Sequence, residues 1–231
     1  MDFFRNMSRG AWAEVLWVLA SNSLVLVFAI RNDWPASLLF WPYWIQSVAI
    51  GFLARRRMLA LHAFSAEGLR LKGRRVPETE EGKREATSNF IAHYTIVHLF
   101  YMAVLLLKVD LPEGELRWVL LGGATFVLGN WLGERRARIR DALRKPRLDA
   151  LRRLPYLRVF PMHFTIVLIA CIDGSWNGMF PLVVFTLLKT TFDVLMAVYV
   201  RVVDAGFPAA NAGDNENGRP GAPVIASQEA D

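Results

Sequence analysis

The sequence predicts an all-α fold, a six-helix transmembrane bundle with both ends on the cytoplasmic side. Three observations carry that prediction. Apolar residues make up 54% of the 231 residues and come in blocks. Six blocks, about 11–30, 35–54, 89–107, 117–133, 158–172 and 179–200, approach the length that crosses a bilayer as a helix. Lys and Arg concentrate in two segments, nine in 54–88 and ten in 134–158, while the intervening turns carry almost none. That alternation is the positive-inside pattern, and it places both basic segments, the N-terminus (Arg5, Arg9) and the chain after Arg201 in the cytoplasm. The blocks lack the period-two alternation of barrel strands, so helices are the spanning structure.

The elements follow in order. Residues 1–10 lead into helix 1, which carries Glu14 and the polar run Ser21-Asn22-Ser23. The Arg-Asn-Asp-Trp-Pro that follows is not a small-residue cleavage site, so the first block is expected to remain as an anchor. Arg31-Asn32-Asp33 reads as a tight external turn. Trp34, Trp41, Tyr43 and Trp44 suit an interface, Pro35 suits a first helical turn, and Pro42 is expected to kink helix 2. Residues 56–72 are patterned for an amphipathic helix on the inner membrane surface, and 73–85 for a flexible loop. Asn89 is the expected N-cap of helix 3. Helix 4 carries Gly129 and Gly133, a small-xxx-small pair that would permit close helix approach. A basic helix over 134–154, broken at Pro146, would lie against anionic lipid. Helix 5 is expected to begin near Val159 with Pro161 in its first turn, and 174–178 to form an external turn. Residues 1–204 thus form one integral membrane domain, and 205–231 a disordered cytoplasmic tail poor in apolar residues.

The net charge of +6 is accounted for by topology, which leaves no call for nucleic acid; the expected partners are the bilayer and its anionic lipids, with a homo-oligomer left open. The single cysteine, Cys171, forms no internal disulfide framework and reads as a small core or lipid-facing residue.

Candidate site residues are ionisable or polar groups inside apolar blocks, which are costly there and mark function. Residues 90–97, Phe-Ile-Ala-His-Tyr-Thr-Ile-Val, and 160–167, Phe-Pro-Met-His-Phe-Thr-Ile-Val, agree at five of eight positions. The likeness points to a parallel repeat of helices 3–4 and 5–6. With a rise of about 1.5 Å per residue, His93 and His163 would both lie roughly 6 Å from the inner boundary, Asp193 roughly 10 Å, Gln46 roughly 12 Å, His98 roughly 13 Å and Lys189 roughly 16 Å. Gln46, His93, His98, His163, Lys189 and Asp193 are therefore expected to line one polar chamber open to the cytoplasm. Lys189 and Asp193, four apart, share a helix face and can pair, either as a lock or as a charge for a substrate or proton. His93 and His98, five apart, point about 140° away from each other, so a metal would need one of them with His163 and Asp193. Imidazole and carboxylate suit zinc, iron or haem iron. No HExxH is present, and His62 reads as a solvated surface residue.

Taken together, the phrases Pro42-Tyr43-Trp44-Ile45-Gln46-Ser47, Gly51-Phe52, Phe90-Ile91-Ala92-His93-Tyr94 with His98, Met162-His163 and Leu188-Lys189-Thr190-Thr191-Phe192-Asp193 resemble an uncharacterised bacterial family of multi-pass inner-membrane proteins, known only as a domain of unknown function. The likeness covers roughly residues 12–200. The family's pattern usually has Glu where this chain has Gln46, and Gly where it has Thr95, so the resemblance implies that a carboxylate is missing at Gln46. It implies the six-span fold and an inner-membrane location, and no activity. Three function classes stay open: transport or binding of a small molecule, proton or ion; an intramembrane metal- or haem-dependent enzyme; and a structural or assembly subunit.

Overall fold

In a computed structural model the described residues are 9–109, 114, 116–143, 145–171 and 179–205, apart from the side chains of 9–11, 14, 169–171 and 197–205. Glu14 and Cys171 as side chains, the 174–178 turn and the 206–231 tail lie outside them.

Among the described residues six helices form: α1 (Arg9–Arg31), α2 (Ser37–Leu59), α3 (Glu80–Lys108), α4 (Leu116–Asp141), α5 (Leu148–Cys171) and α6 (Met179–Ala205). Three are long and apolar enough to cross a membrane: α2, α3 and the Met179–Met196 part of α6. In α1 the apolar stretch is shorter, Val15–Arg31. Glycines and Asn130 dilute α4, and Arg158, His163 and two prolines dilute α5.

The α1–α2 turn is tight as expected. Asp33 takes a left-handed backbone, the Asn32 side chain donates to the Phe28 carbonyl at 2.8 Å, and the Trp34 N–H bonds back to Ala29. From there α2 becomes the axis of the bundle. It packs along α4 most extensively, and along α3 and α5; α1 packs along α6, and α5 along α3 and α6. Phe40 and Tyr43 meet Phe185 of α6 edge-on at ring distances of 5.1 and 5.0 Å.

Glycine placement explains the close approaches, and it is not the one expected. A Cβ on Gly51 would run into the Tyr94 ring, so this glycine is the notch that seats α3 on α2. Gly122 and Gly123 face Pro42 and Ile45 across α2–α4, with 3.4 and 3.0 Å left for a Cβ. A Cβ on Gly129 or Gly133 would meet nothing within 4 Å among the described residues. The pair read as a helix contact therefore faces open space.

The basic segments also differ from expectation. No amphipathic helix covers 56–72: α2 stops at Leu59, and the chain turns its apolar residues inward. Leu61, Phe64, Ala66 and Leu69 join Met58, Val76, Ala86 and Leu148 in a small core at this end of the bundle. Arg70 and Leu71 pair with Arg75 and Arg74 in a hairpin closed by Lys72-Gly73, both at positive φ, which the primed two-residue turn needs. The expected loop at 73–85 is helical from Glu80. Thr79 is the N-cap, accepting from the Gly82 N–H at 3.2 Å, and Glu80 and Glu81 occupy the first turn. Asn89, proposed for that role, lies inside α3. Lys83 is buried, donating to the Leu61 carbonyl at 2.5 Å and to Glu80 at 2.7 Å.

The two basic segments are joined. Ser65 and Arg147 form a parallel bridge, Glu78 accepts from Lys145 at 2.9 Å and from the Ala66 N–H at 2.9 Å, and Arg57 holds Asp141 through two hydrogen bonds of 2.6 and 2.9 Å. The break at Pro146 occurs as expected. However, α5 starts at Leu148, so Pro155 and Pro161 both lie inside it.

Two outcomes test this packing. Gly51→Ala should destabilise the detergent-solubilised protein by about 2 kcal/mol through overpacking, whereas Gly129→Ala should be neutral or stabilising by up to about 1 kcal/mol; equal effects in thermal unfolding would refute the assignment of the notch. Lys145 and the Ala66 N–H hold the Glu78 carboxyl below its ordinary value of 4.5. A depressed native pKa stabilises above the unfolded value and is lost as pH falls through the native one. Wild type should therefore melt above Glu78→Gln at neutral pH, by under about 1 kcal/mol because the pair is half exposed. The gap should close as pH drops below that ordinary value.

Candidate functional site

The six sequence-derived residues fall into two groups on opposite sides of α2. Gln46 and Asp193 line a cleft of about 870 Å³ walled by α1, α2, α4, α5 and α6. Lys189 sits beside it, paired with Asp193. His93 and His163 lie instead along the α3–α5 contact and His98 along the α2–α3 contact, and none of them shares a chamber with these.

The histidine side is a ladder. Arg152 donates to Asn89 at 3.1 Å, His93 Nδ1 meets the Tyr156 hydroxyl at 2.9 Å, and the Tyr101 hydroxyl meets His163 Nδ1 at 2.5 Å. The partners are 63, 63 and 62 residues apart, so α3 and α5 run parallel in constant register. That register corrects the depth assignment. Tyr156, not His163, stands level with His93, and His163 stands about 10–12 Å farther along the bundle. The repeated phrase is thus displaced by two helical turns between its copies, because α5 begins well before the boundary read from its apolar block.

Between the rungs lies a column of rings. Tyr94 stacks on His98 at 4.2 Å, touches Tyr156 at 5.6 Å, and donates to the Ser47 carbonyl at 2.6 Å. His98 is buried. Its Nδ1 must donate to the Tyr94 carbonyl at 2.8 Å, which leaves Nε2 facing Ser47 Oγ at 3.1 Å. Ser47 is also within 2.8 Å of the Trp44 carbonyl. One serine proton serves one of these acceptors, so a neutral His98 takes it at Nε2, while an imidazolium supplies its own. His93 and His163 are exposed on the outer surface of this helix pair.

The metal set His93, His98, His163 and Asp193 is not assembled. Five-residue spacing sends His93 outward and His98 inward, the register separates His163 from His93, and Asp193 bonds on the cleft side of α6. Among the described residues no three His, Cys, Asp or Glu side chains gather as a metal site.

The cleft side holds the charges. Asn22 donates to Asp193 at 3.2 Å and accepts from Lys189 at 3.4 Å, and Lys189 pairs with Asp193 and lies 5.6 Å over the Tyr43 ring. This set fastens α1 to α6. Deeper toward the basic end the cleft presents Arg57, Arg136, Arg140 and Arg158, with Glu134 and Asn130. The Arg158 guanidinium has no hydrogen-bonding partner among the described residues. The Gln46 and Glu134 Oε1 atoms are buried without hydrogen bonds. The sequence reading missed Arg158, Glu134 and Arg57, since all three counted toward the loop charges that set topology. The available signal was helical spacing: Leu151, Leu154 and Arg158 recur on one face of a segment that continues into the apolar block.

Residues 5–206 match a family described only as a family of unknown function. The chain belongs to that family, DUF6498. The resemblance read from its phrases is thereby borne out at the level of the family. No curated protein and no solved structure matches the chain. DUF6498 membership covers both the ladder and the cleft and assigns no chemistry to either.

Lys189→Met should strand Asp193 and Asn22 and cost about 3 kcal/mol in thermal unfolding. The double variant Lys189→Met/Asp193→Leu should recover at least half of that loss. A double variant no more stable than the single one would show that the pair does not compensate itself.

Proposed function

We propose that this chain is a six-span integral membrane protein, with both ends and both basic segments in the cytoplasm, that binds a small anionic molecule in the cleft between α1, α2, α4, α5 and α6. The single observation that carries the binding is Arg158. It stands about six residues, roughly 9 Å, farther along α5 than Arg152. It faces a cleft large enough for a small molecule. A guanidinium that no described residue hydrogen-bonds, facing a cleft whose wall carries more positive than negative groups, is what an anion site requires.

Six spans are supported by three helices that meet the requirement outright, and by apolar outer faces on the others, where Leu16, Leu24, Trp118, Leu128, Phe160 and Phe164 are exposed. The cytoplasmic placement rests on both basic segments meeting at one end of the bundle, combined with the positive-inside rule. An inner membrane is the location this implies. A purely structural role would need the polar groups to satisfy one another, which the Lys189–Asp193 set does and Arg158 does not.

Two measurements test the reading. In a Cys171→Ser background, cysteines placed at Asp33 and Gly114 should react with a membrane-impermeant maleimide from outside intact cells, and cysteines at Lys72 and Arg147 only after permeabilisation. In detergent, inorganic phosphate at millimolar concentration should raise the melting temperature of wild type and leave Arg158→Gln unmoved. A phosphate shift that persists in Arg158→Gln would dismiss this cleft as the anion site.

A further inference from the structure

Building on the anion site proposed above, we infer that the cleft takes a phosphate-headed amphiphile, a lipid whose head sits among the arginines and whose chain leaves sideways between α1 and α4. Three observations lead there.

The first is charge. The charged groups on the cleft wall are Arg57, Arg136, Arg140 and Arg158 against Glu134 and Asp193, and Asp141 and Lys189, which pair with Arg57 and Asp193, add one charge of each sign. The surplus is positive and is made of guanidinium groups, whose planar donor fork matches phosphate oxygens. All of them lie toward the basic end of the bundle.

The second is size and lining. A volume of about 870 Å³ is that of a site for a whole organic molecule and far exceeds a bare phosphate. The arginines share the walls with apolar side chains, Trp17 and Val18 of α1, Phe126 of α4 and Met196 of α6. A ligand that satisfies both has an anionic head and a hydrocarbon body.

The third is the gap. Both α1 and α4 line the cleft, yet α1 packs along α6 and α4 along α2, and no extensive packing joins α1 to α4 among the described residues. Gly129 and Gly133, one turn apart, keep that wall of α4 free of side chains, and the space beyond each is open. A glycine pair that seats no neighbouring helix leaves a smooth furrow between the cleft and the surrounding hydrocarbon. An acyl chain fits that furrow, and a water-soluble phosphate has no use for it.

The test uses the full chain purified in detergent and three probes: dioctanoyl phosphatidic acid, dioctanoyl phosphatidylcholine and inorganic phosphate. Affinities are read from ligand-dependent melting shifts and from quenching of intrinsic tryptophan fluorescence. Phosphatidic acid should bind at least about tenfold more tightly than inorganic phosphate or phosphatidylcholine. Arg158→Gln should weaken it about tenfold. Gly129→Phe, which removes no charge and adds its ring where nothing stands, should weaken phosphatidic acid while leaving inorganic phosphate bound. Gly129→Phe keeps the comparison decisive even if loss of Arg158 unfolds the chain, because its ligand-free melting temperature is measured alongside. Phosphatidic acid no tighter than inorganic phosphate, with phosphate still dependent on Arg158, would overturn the lipid inference and leave the anion site standing. Phosphatidylcholine binding as tightly as phosphatidic acid would overturn the phosphate head. Binding by none of the three would overturn both.

Discussion

The Tyr94 ring lodged against Gly51 sets the geometry on which the rest depends. It fixes the distance between α2 and α3, and its hydroxyl reaches the Ser47 carbonyl to fix their register. With α3 placed, its stripe of Asn89, His93 and Tyr101 is presented to α5 at intervals that Arg152, Tyr156 and His163 can meet. In apolar surroundings each rung is costly to leave unmade, so the ladder admits one register only. That register carries Arg158 around to the opposite side of α5. There the Arg158 carbonyl accepts from the Tyr43 hydroxyl at 3.0 Å, which ties α5 to α2. The cleft is thus a downstream result of a glycine–tyrosine contact on the other face of α2.

Much of this was legible in the chain. Six helices in order, the Asn32–Asp33 turn, the break at Pro146 and the Lys189–Asp193 pair follow from block length, turn chemistry and four-residue spacing. Depth and direction were not legible. Apolar block edges mark where hydrophobicity ends, and α3 and α5 both continue for about ten residues beyond those edges because Thr79 and the Leu148 segment start them earlier. A shared octamer therefore looked like a shared level. The glycines misled for a related reason: Gly129 and Gly133 have the spacing of a contact motif, but spacing alone does not name a partner, and none of the described residues supplies one.

Arg158 illustrates the limit most clearly. In a sum over loop charges it is one of ten basic residues that set orientation. In the fold it is set apart from the others by position alone. Nothing in its immediate neighbours distinguishes it from Arg153, five residues earlier, which pairs with Asp149 in the ordinary way at 3.1 Å. The difference comes from the tertiary register, which no local pattern encodes.

The bridges between the basic segments carry a mechanical consequence. Ser65 with Arg147, Glu78 with Lys145 and Arg57 with Asp141 clamp the α2–α3 hairpin to the α4–α5 hairpin at one end, and the ladder rivets α3 to α5 along their length. Four helices thereby behave as a stator. The α1–α6 pair, stitched internally by Asn22, meets them through the packing of α6 along α5 and of Phe185 against Phe40 and Tyr43. The cleft therefore lies between two sets of helices that are fastened separately, one by the clamp and the ladder, the other by the Asn22 set.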